Sequence, residues 1–168
     1  MYRKPISSVA DVCPMDRDDG IGQWILDHPQ LQIYNTTVDN GVHAGYEIAR
    51  ENVKVGEVFS PFTYAWTAIY FAPDGHRYSL INEKFEGNHP AIRAFNSLLY
   101  HMNSWGRKDM YNVDDYVWVD RRGHRFIKKV KAITAAGIVK TVGHSMDLAW
   151  SPHYDVVWDD DKKVYIQA

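Results

Sequence analysis

At 168 residues the chain is long enough for one ordinary domain or two small ones, and 45% hydrophobic with 14% aromatic residues is the composition of a packed globule, not a disordered tail. Cys13 is the only cysteine, which excludes an intramolecular disulfide and the cysteine-rich zinc sites. The net charge of −2 divides unevenly: residues 1–106 carry −4, residues 107–140 carry +5 and residues 141–168 carry −3. With no Lys or Arg beside it in the chain to lower its pKa, Cys13 reads as a structural thiol. No apolar stretch approaches the ~18–20 residues of a membrane span. The opening residues also lack the apolar core of a secretory signal, so the expected location is cytoplasmic with no membrane partner.

In chain order, residues 1–15, with Pro5 and Pro14, read as an irregular arm. A short helix is expected over 20–28, with Asp18 or Asp19 capping its free N–H groups and Pro29 forbidding continuation. The β-branched run 31–38 is a strand that ends at the turn signal Asp39-Asn40-Gly41. Two further strands are expected over 43–49 and 52–59. A hairpin follows, with 65–71 and 76–81 joined through Pro73-Asp74-Gly75. Pro90 suits a helix first turn, and Ala91, Ala94, Phe95, Leu98, Leu99 and Met102 recur at helical spacing on one face.

Gly106-Arg107-Lys108-Asp109 reads as the join to a second unit, which divides the chain into an α+β domain over 1–106 and a second domain over 112–168. The second holds five short strands, near 115–120, 126–133, 137–142, 154–158 and 163–166, as expected of a small, strongly bent barrel. The fold class is therefore α+β, with a C-terminal five-stranded barrel. This stretch resembles SH3-like barrels of the KOW and Tudor type. The likeness rests on Asp115-Tyr116-Val117-Trp118-Val119, on Gly137-Ile138-Val139 and on the hairpin from Tyr154 to Ile166. It covers a third of the chain, and residues 1–106 suggest no family. A KOW-like module implies nucleic-acid or ribonucleoprotein partners, and a Tudor-like one implies peptide partners.

The strongest candidates for a binding role are Arg121, Arg122, Arg125, Lys128, Lys129 and Lys131, six cations within eleven residues, joined by Lys140. Lined along one barrel edge they would neutralise phosphates and release counterions. Alternation puts Tyr116 and Trp118 on one strand face, where a base could stack. The bland alternative is a solvated edge strand whose lysines discourage strand-to-strand association.

Catalytic and metal signals are weaker. His144, Asp147, His153 and Asp155 fall close enough in sequence to supply metal ligands, but without paired spacing. Asp16, Asp18, Asp19, Gly20 and Asp27 look briefly like a calcium loop, although the glycine falls one place early and the final Glu is missing. Gly20-Ile21-Gly22 lacks the third glycine of a phosphate loop, and Ser145 beside His144 is not triad geometry. Asp159-Asp160-Asp161 is most simply a hairpin turn. The expectation is a non-enzymatic protein without metal or cofactor that binds DNA or RNA with little sequence preference. The alternative is a protein-binding adaptor or inhibitor of a larger enzyme, to which the abundant Trp and Tyr would suit.

Overall fold

The computed structural model describes residues 4–8, 11, 20–36, 45–62, 65–82, 85–87, 89–108, 111–142 and 154–167, without the side chains of 61, 62 and 65. Its backbone is α+β, and it divides into two compact units, Met1–Met102 and Asn103–Ala168. No helix among the described residues is long and apolar enough to cross a membrane.

The first unit begins with helix α1 (Ile21–Leu26). Gly20 is its N-cap residue at φ 79°, a left-handed conformation that costs glycine little. Asp18 and Asp19, expected as caps, lie outside the described residues. A five-stranded antiparallel meander follows: β1 (Gln32–Asn35), β2 (Gly45–Arg50), β3 (Val53–Phe62), β4 (Ala65–Phe71) and β5 (Arg77–Ser79). These are the strands that β-branching and the turn residues place there. Helix α2 (Pro90–Ser104) starts at its proline, as the pattern requires.

Register explains how the sheet accepts α2. Ile33 pairs Ile48, Ile48 pairs Gly56 and Gly56 pairs Tyr70, so one row of side chains crosses four strands on one face. The apolar stripe of α2, namely Ala91, Ala94, Phe95, Leu98 and Met102, is 0–4% exposed. Phe95 lies 5.4 Å from Tyr46 and 4.7 Å from Trp24, ring centre to ring centre. Trp24 also donates its indole N–H to Asn96 Oδ1 at 2.8 Å, which ties α1 to α2. In the middle of the row Gly56 allows the closest approach. A Cβ there would stand 2.7 Å from Leu98 Cδ1 and 2.7 Å from the Ile69 carbonyl oxygen.

Toward the end of α2, His101 is 1% exposed, with the Phe85 ring set edge-on 5.6 Å away. Desolvation pushes its pKa down to about 3, against a hydrogen bond with the Ile81 backbone that favours the charged form.

The second unit is a closed barrel in the order β10-β6-β7-β8-β9. Its strands are β6 (Tyr116–Arg121), β7 (His124–Ile133), β8 (Val139–Val142), β9 (Tyr154–Asp159) and β10 (Val164–Gln167). Neighbours pair antiparallel except at the closing seam, where β10 runs parallel to β6 through Tyr165↔Val119 and Ile166↔Asp120. Val117, Val119, Val130, Val139, Val156 and Tyr165 fill the interior. This closed five-stranded barrel is compatible with the small SH3-like class. A bulge between Val130 and Ala132 bends β7 so that it serves both neighbours. Asp159 makes the β9–β10 turn, its Oδ1 accepting the N–H groups of Asp161 and Lys162 at 2.9 Å each.

Two outcomes test these packing arguments. Gly56→Ala should cost roughly 1–3 kcal/mol through overpacking against Leu98, read as a lower denaturant midpoint at unchanged slope. For His101, the folded pKa lies below the ordinary 6.5, so its contribution is complete above pH 6.5 and is lost as pH falls toward 3. The loss approaches about 1.4 kcal/mol per pH unit. Equilibrium unfolding from pH 7 to pH 4 should show it, with a flatter acid limb in His101→Gln.

Candidate nucleic-acid interface

The six clustered cations sit on or beside the β6–β7 hairpin, and strand alternation divides them. The pairs Val117↔Lys128, Val119↔Phe126 and Arg121↔His124 share the side that carries the core valines. The pairs Tyr116↔Lys129, Trp118↔Ile127 and Asp120↔Arg125 occupy the opposite side. Arg122 sits in the two-residue turn with Gly123, both at positive φ (53° and 86°), as a primed hairpin turn requires.

On the side away from the core, the cations are built into the fold. Arg125 is 16% exposed, with Nε 3.6 Å from Asp120 Oδ2 and its guanidinium carbon 4.6 Å from the centre of the Trp105 ring. Trp105 stands edge-on to Trp118 with centroids 5.0 Å apart. Lys129, 17% exposed, reaches Asp114 Oδ1 at 3.1 Å. Asp120 is the hub of this side. Its Oδ1 accepts the Gly123 N–H at 3.0 Å and lies 3.8 Å from Lys162 Nζ. Lys140, on β8, lies 3.7 Å from Asp155.

This side also corrects the expected stacking face. Tyr116 and Trp118 do share a face, but they are 4% and 2% exposed. Trp105 covers Trp118, so no base can reach that pair. The expectation failed because the sequence places Trp105 at the end of the first domain, just before the join at Gly106, where nothing in the pattern marks it as a cover for Trp118.

The core side opens at the barrel end where β6 stops and β7 begins. There Arg121 donates from Nη1 to the Tyr154 hydroxyl at 2.8 Å, with its guanidinium carbon 5.4 Å from the ring centre. Lys128 Nζ stands 5.3 Å from the same ring. Tyr154 pairs Thr141, which pairs Val130 of the core, so its ring belongs to this side. Phe126, two residues from Lys128, is 43% exposed. Arg122 and Lys131 are exposed, and among the described residues neither they nor Arg121 has a carboxylate within ion-pair distance. Arg121 and Arg122 also border a depression of about 400 Å³ together with Asp120, Lys162, Ile166 and Gln167.

Phe126 and Tyr154 were not singled out by sequence reasoning. The available signal was parity: counting by two from the core valines across the hairpin puts Phe126 with Lys128. Of the suggested metal ligands, His144, Asp147 and His153 lie outside the described residues, and Asp155 faces Lys140 instead. Asp16, Asp18, Asp19 and Cys13 lie outside them too, while Asp27 accepts from Gln23 Nε2 at 2.7 Å. Among the described residues no three His, Cys, Asp or Glu side chains are grouped to hold a metal ion. No protein-family model, curated protein or solved structure matches the chain.

Removing the hub should loosen the hairpin. Asp120→Ala leaves the Gly123 N–H without its acceptor and Arg125 without its counter-charge. A stability loss of about 1–3 kcal/mol is expected in chemical denaturation, with a shift in tryptophan emission as Arg125 leaves Trp105.

Proposed function

We propose that the C-terminal barrel is a nucleic-acid-binding module of the KOW type and that the protein acts by binding rather than catalysis. The observation that carries this reading is the group at one barrel end: Arg121 and Lys128 beside Tyr154, with Arg122 on the adjoining turn. Cations at a barrel rim neutralise backbone phosphates and release counterions, which gives affinity without sequence preference. The same group argues against a Tudor-like role. A cage for methylated lysine offers aromatic faces to a cation, whereas the ring of Tyr154 already has two cations beside it. A cationic ligand would be repelled there.

Filter binding or fluorescence anisotropy at several salt concentrations tests the proposal. The logarithm of affinity should fall linearly with the logarithm of salt, with a slope of about −0.7 to −0.9 for each phosphate contacted. The double variant Arg121→Glu and Lys128→Glu should weaken binding by roughly tenfold or more and flatten that slope by between one and two. Lys4→Glu, an exposed position of the first unit, should leave both unchanged. Failure to detect binding of DNA or RNA even at low salt would end this reading.

A further inference from the structure

Resting on that reading, we infer that the ligand of the barrel end is a single strand, held by a base stacked on Phe126 while its phosphates lie against Arg121 and Lys128. Phe126 is a large apolar side chain left 43% exposed on β7, flanked on its own side of the strand by His124 and Lys128. Among the described residues no ring packs against it. Its side of the sheet is shared with Lys128, two residues on, and with Arg121, which is two residues beyond its partner Val119. An aromatic face with cations on the same side is the combination that single-strand binders use, the ring taking a base and the cations following the backbone.

Duplexes satisfy only half of this arrangement. Their phosphates are accessible, but each base has both faces covered by its neighbours, and exposing one costs a few kcal/mol in unstacking and unpairing. A strand already unpaired avoids that cost. The stacking contact is tolerant of base identity, since every base presents a π face.

The test compares an oligothymidylate of about 12 nucleotides, close to the length that small barrels cover, with a duplex of the same length at equal salt. The single strand should bind at least tenfold more tightly. Phe126→Leu keeps an apolar side chain at this partly exposed position and removes the ring. It should lower single-strand affinity by roughly 5- to 150-fold, the range seen when a stacking ring is lost, and leave duplex affinity unchanged; Phe126→Trp should restore tight binding. Duplex affinity equal to or above that of the single strand would overturn the inference while leaving nucleic-acid binding intact. So would a Phe126→Leu variant that binds the single strand as the parent does. Binding of neither probe would overturn the inference together with the reading beneath it.

Discussion

The pairing of β6 with β7 decides where every charged side chain of the second unit goes. Six pairs in uninterrupted register, from Tyr116↔Lys129 to Arg121↔His124, leave each residue only one of two sides. Because Val117 and Val119 must point into the core, Lys128 and Phe126 follow them to that side, while Arg125 and Lys129 are carried to the other. A slip of one residue would exchange the two sets and bury charges where valines now sit. The register is therefore as strongly specified as the core itself.

The cations consequently divide by purpose as well as by position. Arg125 and Lys129 are mostly covered and matched to Asp120 and Asp114, and their guanidinium and ammonium groups belong to the packing of the hairpin. Lys140 stands near Asp155. Arg121, Arg122 and Lys131 have no such carboxylate among the described residues, and Arg121 meets Lys128 at Tyr154. A local charge of +5 over residues 107–140 thus overstates what a ligand would meet. Desolvating a matched pair gains little for binding, whereas a rim cation facing solvent attracts an anion and is itself screened by salt.

The first unit obeys a similar constraint of close approach. Its sheet and α2 meet through one row of side chains, and the glycine in that row lets Leu98 sit against the strand backbone. Around it the polar atoms are used to lock the helices: the indole of Trp24 on Asn96, and the hydroxyl of Ser97 on the Ile81 carbonyl at 2.5 Å. His101 is held neutral by the same apolar surroundings that bury the rest of the stripe.

Most of the architecture could be read from the chain. Alternation, turn residues and the apolar stripe at 91–102 locate the two helices and ten strands of the described residues to within a few residues, because those signals are local and repeat with the geometry of each element. The resemblance to SH3-like barrels rested on the same local pattern. The closing seam between β10 and β6, the cover that Trp105 lays over Trp118 and the split among the cations were not readable that way. Each depends on which distant residues become neighbours. Sequence proximity put Arg125, Lys128 and Lys129 in one group and Tyr116 with Trp118 on a free face. Folding separates the first set across the thickness of a strand and buries the second, because the interior needs the valines between them and a side chain from outside the hairpin needs a place to pack.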